Sequence, residues 1–142
     1  MKNIFILITL LFLTSCSKDN PNNNCNFLLN LGVNADVNLN LPLYSPLEFT
    51  SNSVYIANQG NGGLIVINVG NGNLRAWDAS DPNHTPSSCS IMQISGATAK
   101  CGCSDENEYN LFNGLSVGTQ LPCGLKEYRV TPTGSNTYTI SN

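Results

Sequence analysis

The fold class of this chain is decided by residues 64–78, which read LIVINVGNGNLRAWD. The first part, 64–69, is mostly apolar and β-branched, which is typical of a strand that is buried on both faces. Asn71-Gly72 then supplies a two-residue hairpin turn, because both residues adopt the positive φ that such turns need. Residues 73–78 form the returning strand, so this stretch predicts an antiparallel β-hairpin.

The same pattern continues on both sides of this hairpin. Short runs of β-branched and aromatic residues alternate with turns rich in Asn and Gly. The predicted strands are 53–57, 64–69, 73–78, 89–94, 97–101, 108–112, 126–131 and 137–140. Residues 39–47, LNLPLYSPL, contain two prolines and predict an extended edge strand or a covering segment. The sequence therefore predicts one all-β domain without internal repeats.

The charge and residue types exclude several functions. Nine Asp and Glu residues stand against six Lys and Arg, giving a formal net charge of -3 without a basic patch. This balance argues against partners such as nucleic acid or anionic lipid head groups. The chain has a single histidine and no serine in a nucleophile-elbow context. No catalytic constellation is visible, so we expect a protein that is not an enzyme.

The N-terminus predicts an export signal. Lys2 supplies a positive charge, and the apolar run IFILITLLFL follows at 4–13. As a helix this run would be about 15 Å long, too short for a hydrocarbon core of ~30 Å but suited to a signal peptide. It ends in LTSC at 13–16, which resembles the lipobox of bacterial lipoprotein signals. We expect cleavage before Cys16 and attachment of acyl chains such as palmitate to that cysteine.

This interpretation divides the chain into three segments. Residues 1–15 are the predicted signal peptide, 16–37 the acylated cysteine and a polar, Asn-rich flexible tether, and 38–142 the β domain. Acyl chains on Cys16 would anchor the domain to a membrane without a transmembrane helix. The predicted location is the bacterial cell envelope, with the outer membrane favoured over the inner and the face left open.

Three segments of the domain follow one another in an order typical of a known family. They are WDASDPN at 77–83, AKCGCSDENEYNLFNGLSVG at 99–118 and LPCGLKEYRV at 121–130. Together they resemble the first cluster loop, the second cluster loop, and the proline loop with final strand of the Rieske ferredoxin-like family. The resemblance implies an antiparallel β-sandwich of the iron–sulfur protein type, with three loops that meet at one tip.

The cluster ligands of that family are mostly missing. A Rieske 2Fe–2S cluster takes two cysteines on one iron and two histidines on the other. By the resemblance, Asp81 and Asn83 stand where the first-loop cysteine and histidine belong. Ser104 stands at the second-loop histidine, whereas Cys101 is kept. The chain has one histidine, His84, whereas one iron of the cluster needs two histidines. We therefore expect no cofactor of the conventional kind.

Five cysteines follow Cys16, and export into an oxidising compartment favours disulfides among them. The resemblance implies the pair Cys89–Cys103, because members of the family commonly tie the first loop to the cysteine between the second-loop ligands. We hypothesise Cys101–Cys123 as a second bridge, which leaves Cys25 unpaired.

Two alternatives use the same cysteines differently. In the first, the tip holds zinc or a non-standard 2Fe–2S cluster through Cys89, Cys101, Cys103, Cys123 and His84. In the second, an envelope redox protein cycles a disulfide at Cys101 or Cys103. Redox cycling requires an exposed thiol of low pKa, and Lys100 is the only adjacent cation.

The expected function is therefore that of a membrane-anchored, clusterless relative of the Rieske domain. We expect it to act as a binding or structural module with an envelope protein as partner. The alternative function is electron transfer or metal binding through a non-standard centre at the cysteine-rich tip.

Overall fold

A computed structural model describes residues 25–142, so the predicted signal peptide, Cys16 and the first part of the tether lie outside the described residues. The described chain contains one 3₁₀ turn, Ser45–Glu48, and nine β-strands. The strands are β1 Asn34–Asn38, β2 Ser53–Ile56, β3 Leu64–Gly70, β4 Asn73–Asp78, β5 Met92–Ser95, β6 Thr98–Cys101, β7 Glu108–Asn110, β8 Glu127–Gly134 and β9 Thr137–Ser141. Within this range, no helix has the length and apolar character needed to cross a membrane.

The strands form two antiparallel sheets. One has six strands in the order β1-β9-β8-β4-β3-β2, and the other has three in the order β5-β6-β7. Every strand pair is antiparallel. The prediction of an all-β, antiparallel domain is confirmed.

The β3–β4 hairpin lies at the centre of the fold, with β3 buried on both faces as its sequence predicted. Side chains alternate along a strand, so Leu64 and Val66 enter one hydrophobic core while Ile65 and Ile67 enter another. All four have no exposed surface. Burying an aliphatic side chain of this size contributes about 1.5–3 kcal/mol, so this strand stabilises both cores.

The first core lies on the concave face of the six-stranded sheet. It is filled by residues from both edge strands and from the central hairpin, including Val37, Val54, Leu74, Tyr128 and Ile140. Because β1 and β2 are the two edges of the sheet and still share one core, the sheet curls around it.

The second core lies between the central hairpin and the three-stranded sheet. Trp77 and Tyr109 are its largest buried side chains, and the Trp77 indole Nε1 donates a hydrogen bond of 2.8 Å to the carbonyl oxygen of Leu111. This core supports the loops at one end of the three-stranded sheet, where the predicted site residues lie.

Strand β1, Asn34–Asn38, begins inside the segment 16–37 that the sequence had assigned to the tether. It pairs with β9 over its whole length, and Val33, Ala35 and Val37 point into the first core. The alternation of small apolar residues with Asn and Asp is a strand signal of period two. It was hidden in an Asn-rich stretch, so the folded domain begins before residue 38.

The segment 39–47 is not extended, and its interpretation as an edge strand is wrong. The backbone amides of Tyr44 and Ser45 both donate to the carbonyl oxygen of Leu41, and Pro46 is the second residue of the 3₁₀ turn. Proline fixes φ near the value that such a turn needs. The interpretation as a covering segment is right, because Leu47 is fully buried in the first core.

Candidate functional site

Three loops meet at one end of the domain, and we call this region the tip. The first loop, 79–91, follows β4; the second, 102–107, joins β6 to β7; and the third, 111–126, precedes β8. Asn83 of the first loop donates a hydrogen bond of 2.8 Å to the carbonyl oxygen of Cys123 in the third. Asn107 of the second loop donates one of 2.9 Å to Asp81 of the first. The predicted convergence of the three loops is therefore observed.

Asp81, which the resemblance had placed at the first-loop cysteine, is a fully buried carboxylate with three donors. The Tyr109 hydroxyl donates to it at 2.5 Å, the Asn107 side-chain amide at 2.9 Å, and the backbone amide of Asn83 at 2.8 Å. Hydrogen bonds to a charged group are the strong ones, and a buried carboxylate needs them to offset the loss of water. Asp81 thus joins the first loop to β7 and to the second loop.

Asn83, which the resemblance had placed at the first-loop histidine, joins the first loop to the third. Its side-chain oxygen accepts a hydrogen bond of 3.1 Å from the backbone amide of Cys123, and its side-chain nitrogen donates to the Cys123 carbonyl oxygen. The same nitrogen donates to the Tyr109 hydroxyl at 2.7 Å. Ser104, which the resemblance had placed at the second-loop histidine, is exposed.

Two disulfides restrain the tip. Cys89–Cys103 ties the first loop to the second with a Cα–Cα distance of 4.9 Å, and this is the pair that the resemblance implied. The second disulfide joins Cys25 to Cys123 with a Cα–Cα distance of 5.6 Å. The hypothesised Cys101–Cys123 bridge is therefore wrong, and Cys25 is not the unpaired cysteine.

Cys25 reaches the third loop because the N-terminal segment of the domain runs along that loop. The Lys126 ammonium group donates a hydrogen bond of 2.7 Å to the carbonyl oxygen of Leu29, and Asn61 bonds the backbone of the same residue. A segment interpreted as a flexible tether gave no reason to expect this position. The pairing follows from the tertiary path of the chain and not from cysteine spacing.

Cys101, at the end of β6, is the free cysteine of the described residues and is buried. Burial raises the pKa of its thiol to about 11, and the nearby carboxylates of Asp81 and Asp105 act in the same direction. The backbone amide of Cys103, which lies 3.4 Å from the sulfur, acts in the opposite direction. This is the reverse of the exposed, low-pKa thiol that redox cycling at Cys101 requires.

His84, the single histidine, lies in the first loop above the second. Its Nε2 is 2.6 Å from the Oδ2 atom of Asp105, and its backbone amide donates to the carbonyl oxygen of Asp81. The ligand atoms of His84, Cys101 and Cys103 all lie within 4.8 Å of one another. Three of the five residues in the metal alternative are thus brought together, whereas Cys123 is bonded to Cys25.

A second buried carboxylate, Asp78, organises the approach to the tip and was missed in the sequence. It accepts hydrogen bonds of 2.7 Å from the Tyr128 hydroxyl, 2.8 Å from the Asn61 side chain and 2.9 Å from the backbone amide of Ser80. These bonds fix the glycine-rich turn before β3 to the start of the first loop. The sequence feature that could have pointed to this carboxylate is an Asp directly after a Trp at the end of a predicted strand.

The donor atoms at the tip do not fit a Rieske 2Fe–2S cluster. The side chains at both first-loop positions are occupied by hydrogen bonds within the protein, and Cys103 is in a disulfide. Only Cys101 and His84 remain, whereas the cluster needs two cysteines and two histidines. Within residues 25–142, every buried side-chain nitrogen and oxygen has a hydrogen-bond partner.

Comparison of the sequence with protein-family models gives no match, and comparison with curated proteins finds no significant relative. The tip must therefore be interpreted from its own residues.

Proposed function

We propose that this chain is a lipid-anchored protein of the bacterial cell envelope whose Rieske-like domain works without a 2Fe–2S cluster. In this proposal the domain is a binding or structural module, its partner is another envelope protein, and it catalyses no reaction. The lipid on Cys16 holds it at the membrane.

The observation that carries the proposal is the pair of cross-loop bridges made by Asp81 and Asn83. Both residues stand at positions where the family places cluster ligands, and both hold the loops together by hydrogen bonds. In a Rieske domain the cluster itself joins the two cluster loops. Here a buried carboxylate and an amide perform that mechanical task, which supports a domain that kept the loop arrangement and lost the redox centre.

The disulfides favour this function over electron transfer. A non-standard iron–sulfur centre at the tip would draw on four cysteines and His84. Three of those cysteines are in disulfides, namely Cys89, Cys103 and Cys123, so only one thiol and one imidazole are left. Two ligands are too few for a 2Fe–2S cluster within one chain.

The cluster part of the proposal is tested by the iron and acid-labile sulfide content of the full chain purified under anaerobic conditions. We expect neither in stoichiometric amount and no visible absorption. Two irons and two sulfides per chain, with charge-transfer bands in the visible range, would contradict the proposal and support electron transfer.

The anchor is tested by mass spectrometry of the N-terminal peptide from the membrane fraction of a bacterium that expresses the full chain. We expect a peptide that begins at Cys16 and carries acyl chains. A Cys16→Ser variant is the matched control, and we expect it to lose the acyl chains and to leave the membrane after mild detergent-free washing. An unmodified peptide, or one that still contains residues 1–15, would contradict the anchor.

A further inference from the structure

One cluster of side chains at the tip would have the ligands of a zinc site if its disulfide were reduced to two thiols. Cys101 ends β6, Cys103 lies two residues further on in the second loop, and a ring nitrogen of His84 lies within 4.8 Å of both sulfurs. Cys89 is covalently bonded to Cys103, so its sulfur lies beside that of Cys103. Three cysteines and one histidine form one of the usual donor sets of structural zinc.

We propose that reduction of the Cys89–Cys103 disulfide converts the tip into a binding site for one zinc ion, with Cys89, Cys101, Cys103 and His84 as its four ligands. The oxidised tip is stapled by the disulfide, and the reduced tip is held by the metal. This inference goes beyond the proposed function, because it concerns a second chemical state of the same loops.

The distances make this conversion a small movement. Around tetrahedral zinc, with Zn–S of ~2.3 Å and Zn–N of ~2.0 Å, ligand atoms lie ~3.5–3.8 Å apart. The atoms of His84, Cys101 and Cys103 are already within 4.8 Å of one another. The two loops are held in place from outside the cluster, since Gly102 donates a hydrogen bond of 2.9 Å to the Cys89 carbonyl oxygen and Asn107 bonds Asp81. We therefore expect side-chain rotations of the cysteines to complete the site.

The carboxylates near the cluster have separate tasks. Asp105 lies 2.6 Å from the Nε2 atom of His84. In the proposed site zinc therefore binds Nδ1, and Asp105 orients the imidazole through the other ring nitrogen, as carboxylates do for many metal-binding histidines. Asp81 lies close enough to be considered as a ligand. However, its two oxygens already accept hydrogen bonds from Tyr109 and Asn107, so it remains part of the loop bridge.

The reductant is a dithiol, and the exchange balances in atoms and electrons. A thiolate of the dithiol attacks the sulfur of Cys89, which is the exposed partner, and Cys103 leaves as a thiolate. The second thiol of the dithiol then attacks the mixed disulfide and releases Cys89. Two electrons pass to the protein, the dithiol becomes a disulfide, and its two protons end on the two cysteines. Zinc then displaces three protons from the three thiols, and His84 binds as the neutral imidazole.

The test is a zinc and cobalt titration of the full chain in detergent, before and after reduction with a dithiol under anaerobic conditions. We expect no stoichiometric metal on the oxidised chain and one ion per chain on the reduced chain. Cobalt should give the ligand-field bands of tetrahedral geometry and strong sulfur-to-metal charge transfer. A reduced, folded chain that takes up no metal would overturn the inference. The fluorescence of Trp77, the single tryptophan, reports whether the reduced chain is folded.

Ligand identity is tested by alkylation of the reduced, zinc-loaded chain followed by peptide mass mapping. We expect Cys89, Cys101 and Cys103 to be protected, while Cys25 and Cys123 are modified. Protection of the latter pair instead would place the metal elsewhere and overturn the assignment.

The histidine is tested by His84→Ala, with Thr85→Ala in the same exposed loop as the matched control. Removing an outer-shell partner typically weakens metal binding ~10–100-fold, and removing a ligand should exceed that. We expect zinc affinity to fall at least about 100-fold in His84→Ala and to stay unchanged in Thr85→Ala. Equal affinity in both variants would remove His84 from the site. Iron on the oxidised chain would contradict the proposed function and not this inference, so the two fail separately.

Discussion

The Tyr109 hydroxyl donates a hydrogen bond of 2.5 Å to the carboxylate of Asp81, and neither residue has exposed surface. This bond joins a strand of the second core to the first loop of the tip. The carboxylate is thereby held between β7 and the second loop. There it also accepts hydrogen bonds from the Asn107 side chain and from the backbone amide of Asn83. The rigidity of the tip therefore depends on a buried phenol beneath it.

Replacing Tyr109 by Phe should destabilise the domain, because Asp81 loses a donor that water has no access to replace. A buried acceptor left short of a partner costs about 1–3 kcal/mol. The matched control is Tyr138→Phe, whose hydroxyl donates to the Gly72 carbonyl oxygen at an exposed site, and a loss within about 0.5 kcal/mol is expected there. Urea unfolding followed by Trp77 fluorescence measures both. Equal losses in the two variants would contradict the role assigned to the buried pair.

The two buried phenols predict a loss of stability in alkali. Burial, together with the acceptors Asp81 and Asp78, raises the pKa of Tyr109 and Tyr128 well above the ordinary 10.0. Below pH 10 both the folded and unfolded states keep these protons, so the full stability is present. Above it the unfolded state loses them first, and the free energy of unfolding falls by about 1.4 kcal/mol per pH unit for each phenol. Denaturant unfolding from about pH 8 to about pH 11, a range that brackets the ordinary tyrosine pKa, measures how the free energy of unfolding depends on pH.

In alkali, the free energy of unfolding should fall less steeply with pH in Tyr109→Phe than in the unsubstituted chain. The difference between the two slopes is the contribution of one phenol. The phenolate absorbance of Tyr128 should then appear together with unfolding. A slope that is the same in both chains would show that Tyr109 ionises while folded, against the burial described for it.

A methyl group at Gly114 should disrupt the contact between the third loop and the second core. Gly114 has φ +73°, and a Cβ atom there would lie 2.7 Å from the ring of Trp77. Gly96 also has positive φ, +61°, with nothing within 4 Å of its Cβ position. Gly96→Ala should therefore cost only the conformational strain of about 1–2 kcal/mol, while Gly114→Ala adds about 1–3 kcal/mol of overpacking.

Thermal or urea unfolding of these two alanine variants gives the difference directly. The strain term is shared, so the excess loss in Gly114→Ala isolates the clash with Trp77. Losses of the same size would mean that the ring moves aside without cost.

The two disulfides should differ in their contribution to stability. Cys25–Cys123 spans 98 residues and Cys89–Cys103 spans 14. In the chain-entropy account, loops of these sizes give about 4.7 and about 3 kcal/mol. We expect Cys25→Ser/Cys123→Ser to lose about 1–2 kcal/mol more than Cys89→Ser/Cys103→Ser in urea unfolding. The reverse order would mean that native packing around the disulfides outweighs their effect on the unfolded chain.

The sequence predicted a strand correctly where the local pattern of apolar residues was enough to identify it. Ile65 and Ile67 alternate with Leu64 and Val66 in a run that is apolar on both sides, and this run is the strand shared by both cores. Strand β1 was missed because Ala35 and Val37 are small and lie among Asn and Asp. Its partner β9 is about a hundred residues away, and the local sequence does not reveal that pairing.

The resemblance singled out Asp81 and Asn83 but did not predict their hydrogen bonds. The structure shows that the loops carrying them meet the other loops at one end of the domain. Their function as cross-loop bridges depends on Tyr109 and Cys123, which lie far away in the chain. The disulfide partner of Cys123 likewise depends on how the N-terminal segment packs along the third loop. The spacing of the cysteines in the sequence does not predict that arrangement.

The central claim, that disulfides and hydrogen bonds close the tip in place of a cluster, is tested most directly by alkylation without reductant. The full chain is purified anaerobically, denatured, alkylated and mapped by peptide mass. We predict that Cys101 alone among the five cysteines after Cys16 is modified, and that Cys25 is recovered linked to Cys123 and Cys89 to Cys103. Modification of Cys89 and Cys103 without prior reduction would show that these two cysteines are thiols and not a disulfide, and would contradict the account.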